Sequence, residues 1–124
     1  MADEDIPDDA YVIRNGESPA EHMANQARRY KKGGRGRPYA ISAAFKVGAS
    51  VKTIIREYGT PNPTIRVTTA GEIRAAGYSI RQEGSNPLHA QITPPDRTVN
   101  DWRALDDVMR TQDNPERPRK RHGS

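Results

Sequence analysis

A chain of 124 residues has room for one domain and little more, and with 33% hydrophobic, 6% aromatic and 29% charged residues its buried centre must be thin. The absence of cysteine excludes disulfides, thiolate nucleophiles and cysteine-held zinc or iron–sulfur centres. No apolar stretch approaches the roughly 20 residues needed to cross a bilayer, and the start, with Asp3, Glu4, Asp5, Asp8 and Asp9, lacks the basic and apolar runs of a secretory signal, so a cytoplasmic protein is expected.

In chain order, residues 1–10 are acidic and nearly free of large apolar side chains, which predicts disorder. Tyr11 to Arg14 has strand character and ends at the turn dipeptide Asn15-Gly16. Ser18-Pro19-Ala20-Glu21 then places a capping hydroxyl, a first-turn proline and a reciprocal carboxylate in register. Ala20, Met23, Ala24, Ala27 and Tyr30 recur at helical spacing, so a helix is predicted over 19–32, stopped by Gly33-Gly34. Tyr39 to Ala43 alternates weakly and reads as a strand, although its alanines also permit a helix.

Ser50 can cap a second helix with Val51, Ile54, Ile55 and Tyr58 on one face, ended by Gly59. Residues 55–77 resemble a bacterial helix-turn-helix of the winged type, but its recognition helix would contain Thr64-Ile65-Arg66-Val67-Thr68-Thr69. That β-branched run favours a strand, so 64–68 is predicted as one. Thr69 and Glu72 form a capping box for a helix over 70–76, Tyr78 and Ile80 begin another strand, and Leu88 to Ile92 returns as its hairpin partner. Thr98 or Asn100 can cap a last helix carrying Trp102, Leu105, Val108 and Met109, with Trp102 as its core anchor. Residues 111–124 show no periodicity and predict disorder. The expected fold is therefore α+β: a small single domain over 11–110, with a short mixed or antiparallel sheet and three to four helices between disordered termini.

The net charge of +4 is unevenly distributed. Residues 1–10 carry −5, while 11–38 hold seven bases against Glu17 and Glu21. The positive excess is centred on Arg28, Arg29, Lys31, Lys32, Arg35 and Arg37, with a second group at Arg117 to Arg121. Arg35-Gly36-Arg37-Pro38 resembles an AT-hook, which implies an extended arginine pair along a narrow minor groove, though Gly33-Gly34 replaces the outer basic flank. The bland alternative is a solvated loop that ends the helix, and for Arg117 to Arg121 a solubilising tail.

Other constellations are weaker. Gly48 to Thr53 ends like a P-loop, but Val51 stands where the motif needs glycine. His22, His89 and His122 have no metal-ligand spacing, so neither a metal nor a cofactor is expected. Arg14, Ser42 and His89 together loosely resemble the small toxin-like ADP-ribosyltransferases, which implies residues on adjacent strand ends holding a nicotinamide dinucleotide. The late glutamate of that family is not identifiable, and His89 reads first as a structural residue. The leading expectation is a non-catalytic protein engaging nucleic acid or an acidic protein surface through residues 28–38, with the acidic N-terminus competing for the same bases. The alternatives are that toxin-like enzyme, or a small subunit of a larger complex or homo-oligomer, suggested by a thin core and uncovered sheet edges.

Overall fold

The structure is a computed structural model and describes residues 6–116. Ten elements alternate along the chain: β1 (Tyr11–Asn15), α1 (Ala20–Lys32), β2 (Ile41–Phe45), α2 (Val51–Tyr58), β3 (Thr64–Thr69), α3 (Ala70–Ala75), β4 (Ser79–Gln82), β5 (His89–Thr93), α4 (Arg103–Val108) and β6 (Arg110–Asp113). The strands form one antiparallel sheet in the order β4-β5-β2-β1-β3-β6, so the expected α+β class holds. Among the described residues no helix is long and apolar enough to cross a membrane.

The sheet divides the apolar residues into two layers because alternate side chains leave a strand on opposite faces. Val12, Ile41, Ala43 and Phe45 join Met23, Ala27, Ile73, Trp102 and Leu105 under α1, α3 and α4. Ile13, Ala44, Ile65 and Val67 face Ile54 and Ile55 of α2. Trp102 is the expected anchor: it is fully buried, its ring stacks on Tyr78 at 5.5 Å, and its Nε1 donates to Asn100 Oδ1 at 2.7 Å. Asn100 in turn donates to Ala24 O of α1 at 3.0 Å.

Several local signals act as expected. Ser50 Oγ accepts from Thr53 N at 3.2 Å, and left-handed Gly59 closes α2 with its N–H on Ile55 O. Thr69 Oγ1 accepts from Glu72 N at 3.2 Å, and Thr64–Thr69 is a strand rather than a recognition helix.

Four expectations are corrected. Residues 6–10 are ordered: Ile6 is 1% exposed in the core, Asp8 O and Ala10 O accept from Gly71 N and Ala70 N, and Asp8 pairs with Arg74 at 2.7 Å. The segment lies so close to α3 that a Cβ on Gly71 would meet Asp8 Cβ at 2.9 Å, so this crossing needs a residue without a side chain. Composition pointed the other way because one isoleucine among acids carries little apolar signal. Asp8 thus pairs with α3 and not with the basic segment.

The second correction is at the far end, where 110–113 forms β6 on the edge beside β3. All four of its side chains are exposed, so no apolar alternation announces it; its order comes from the β3 ladder. Asn114 follows, buried, donating to Thr60 O and Asn62 O. Third, Ser18 does not cap α1. Pro19 is the N-cap, and the carboxylate of Asp106 in α4 accepts from Ala20 N at 3.1 Å in place of a local hydroxyl. Fourth, neither Thr98 nor Asn100 caps α4; Asp101 Oδ1 takes Arg103 N at 3.1 Å while Asn100 is committed to Trp102 and α1. Residues 1–5 and the basic group Arg117 to Arg121 lie outside the described residues.

Candidate functional site: a cleft where the central strands part

β1 pairs with β3 over five residues, from Tyr11↔Thr69 to Asn15↔Ile65, but with β2 only at Val12↔Phe45 and Ile13↔Ala44. Beyond that point the two central strands diverge, and an open cleft of about 780 Å³ occupies the gap between α1 and α2. The next hydrogen-bonding pair of a continued ladder would be Asn15 with Ser42. Alternation along antiparallel strands aims their main-chain groups at the gap, since Gly16 N donates to Thr64 O on the β3 side and Phe45 N to Leu88 O on the β5 side.

Arg14 fills part of this gap. It shares the α1 face with Val12 and is only 6% exposed. Its Nε donates to Ser18 Oγ at 2.8 Å, Nη1 to Ser42 O, and Nη2 to Gln26 Oε1. The Nη1 bond reaches the β2 carbonyl that the missing ladder rung would have used. All three acceptors are neutral. Burial, with a smaller contribution from the neighbouring Arg66 charge, lowers the guanidinium from its ordinary value to about 10, so it remains a cation at neutral pH.

Arg66, opposite Arg14 on β3, is buried to the same degree but differently surrounded. It pairs with Asp106 Oδ1 at 2.7 Å and donates to the carbonyls of Glu17, Ser18, Asp106 and Met109. The same carboxylate caps α1, so Asp106 and Arg66 bind the start of α1, α4 and β3 into one junction.

The cleft walls come from His22, Gln26, Arg29 and Tyr30 of α1, from Tyr58 of α2, and from Asn62 and Glu17 in loops. His22, Gln26 and Arg29 recur at helical spacing beside the buried stripe of Met23 and Ala27. That polar stripe was the sequence signal for this wall. Asn62 N donates to Asn15 Oδ1 at 2.9 Å, fixing the loop to the strand end.

Arg14 and Ser42 therefore meet at one cleft, but through the Ser42 carbonyl and not its hydroxyl. Ser42 shares a face with Ala44, opposite to that of Arg14. His89 does not join them. It begins β5, pairs with Ala44 and places Nδ1 against Glu83 O at 3.0 Å, outside the cleft lining. Among the described residues no group of His, Asp or Glu is arranged to hold a metal ion.

The six bases Arg28, Arg29, Lys31, Lys32, Arg35 and Arg37 cover the end of α1 and the turn after it, and among the described residues none forms a salt bridge. Two fold inward. Arg37 lies 4.7 Å from the Tyr30 ring centre and donates to Tyr30 O at 3.4 Å, while Lys31 donates to Arg37 O and sits 5.0 Å from the Tyr39 ring. A Cβ on Gly33 or Gly34 would fall 2.6 Å and 2.8 Å from Arg37 nitrogens, so the double glycine is what lets that side chain lie over the helix end. The Arg35-Gly36-Arg37-Pro38 segment is consequently turned at Gly36 and is not the extended pair of an AT-hook. Arg28, Arg29, Lys32, Arg35 and Arg37 are exposed, and Lys31 is half-buried.

Neither a family model, nor a curated protein, nor a solved structure matches this chain.

Proposed function

We propose that this is a non-catalytic binding protein that holds the phosphate backbone of a nucleic acid against the end of α1. The observation that carries this reading is the set of exposed cations Arg28, Arg29, Lys32 and Arg35, with no carboxylate bound to any of the six bases of the segment among the described residues. Cations not neutralised by internal carboxylates release counterions when they meet phosphate, and that release supplies affinity without sequence preference. The placement of Arg37 over the Tyr30 ring argues for backbone contacts over groove reading. The setting is the cytoplasm, where nucleic acid is within reach. Anisotropy of a fluorescent unphosphorylated oligonucleotide, titrated with the full chain at rising salt, tests the reading. The logarithm of affinity should fall against that of salt by about 0.7 to 0.9 per phosphate contact, with the slope reduced by about one in Arg35→Gln. No binding at low ionic strength overturns it, and an acidic protein surface then becomes the partner to seek.

The toxin-like ADP-ribosyltransferase reading has one observation in its favour, the shared cleft of Arg14 and Ser42. The outward placement of the Ser42 side chain and the remoteness of His89 count against it.

A further inference from the structure

A buried cation whose protein partners are all neutral is an incomplete electrostatic arrangement, because burial penalises the charge and nothing nearby offsets it. Arg14 is in that position. Its three nitrogens each have one acceptor, yet both Nη1 and Nη2 carry a second N–H, and its register partner on β3 is the like charge of Arg66. The cleft at which it ends is lined by a second guanidinium, Arg29, with no partner among the described residues, by His22, and by one carboxylate, Glu17, which is bound to neither arginine. The missing element is an anion.

The rest of the lining narrows what carries that anion. About 780 Å³ is far more than a bare phosphate needs and lies within the range of small-molecule sites. Tyr58 offers an aromatic wall on which a flat ring can stack. The interrupted ladder leaves the N–H and C=O of Asn15 and the N–H of Ser42 directed into the gap, a donor and acceptor set of the kind a heterocycle edge satisfies. We propose that the cleft between β1 and β2 binds a nucleoside monophosphate, its phosphate between Arg14 and Arg29 and its base against Tyr58 and the open strand ends. The nucleotide is either free or the phosphorylated end of a strand. This site is separate from the backbone contacts of the exposed helix end and shares only Arg29 with them.

Titration calorimetry of the full chain with adenosine monophosphate, adenosine and inorganic phosphate tests the assignment. Saturable binding of the monophosphate, with adenosine and phosphate each at least about tenfold weaker, is expected. Arg29→Gln, an exposed substitution that leaves the core intact, should weaken the monophosphate about tenfold. Arg14→Gln should abolish binding, and the Arg29 variant keeps the test decisive if the Arg14 variant does not fold. Phosphate binding as tightly as the monophosphate, or an unchanged affinity in Arg29→Gln, overturns the proposal. Competition by a terminally phosphorylated oligonucleotide identifies a strand end as the ligand, and lack of competition a free nucleotide; each supports the cleft. Monophosphate binding alongside failure of the unphosphorylated oligonucleotide would refute the backbone reading alone.

Discussion

Arg14 and Arg66 are register partners on neighbouring strands, each 6% exposed, yet their surroundings differ in kind. Arg66 has a carboxylate at 2.7 Å and four carbonyl acceptors, all drawn from the junction of α1, α4 and β3. Arg14 has three neutral acceptors and an open cleft at its end. The first is a structural arginine, neutralised where it stands. The second is held in place but left charged, which is the condition of a group awaiting a ligand. Equal burial thus says little about role; the sign and number of partners say more.

The contrast can be broken first at Arg66. Arg66→Met removes one member of a buried pair, leaving Asp106 without its cation and several carbonyls without a donor, so urea unfolding should show a loss of about 3–5 kcal/mol. Arg14→Met gives up only hydrogen bonds to neutral groups and relieves a repulsion, so the loss should be smaller, about 1–3 kcal/mol. If the Arg14 substitution proved the more damaging, the division into structural and ligand-facing arginines would fail. The smallest effect belongs to an arginine pair in solvent. Hydrogen bonds from the Arg103 side chain and then its backbone N–H hold the Asp101 carboxyl down at about 2 from its ordinary 3.8. Because the folded value is the lower one, this contribution is present above the ordinary value and disappears as pH falls toward about 2. With the Asp101 side chain 43% exposed, solvent screening keeps it below about 1 kcal/mol. Unfolding of Asp101→Asn should lose that slope between those two pH values and match the parent chain below them.

What the sequence reveals follows from how local each cause is. Ser50, Gly59 and the Thr69–Glu72 pair act within a few residues, and the helices they bound were readable from them. The β-branched run at 64–69 outweighed its resemblance to a recognition helix for the same reason. Ser18 looked like a cap, but its hydroxyl is taken by Arg14 and its place by Asp106, a residue 86 positions from the helix start it serves. β6 and Ile6 owe their order to β3 and α3, so composition alone read them as disordered. At the site, Arg14 was identifiable on the first strand before a turn, and Ser42 on a possible second strand. The parting of β1 from β2 that makes them a site is a property of pairing, which no residue at either position announces. His89 was grouped with these two in the toxin-like resemblance, yet the β5 register carries it away from the gap.

The two-rung junction between β1 and β2 also divides the sheet mechanically into two leaves, β4-β5-β2 and β1-β3-β6. Inside each leaf the ladders run four or five residues, whereas across the seam there are two paired positions and one guanidinium strut. Amide protons of Ile13 and Ala44 at that seam should therefore exchange with deuterium sooner than those of Ile65 or Ile92, although all four residues lie in the buried interior. The shortest ladder of the sheet thus lies at its centre and not at its rim.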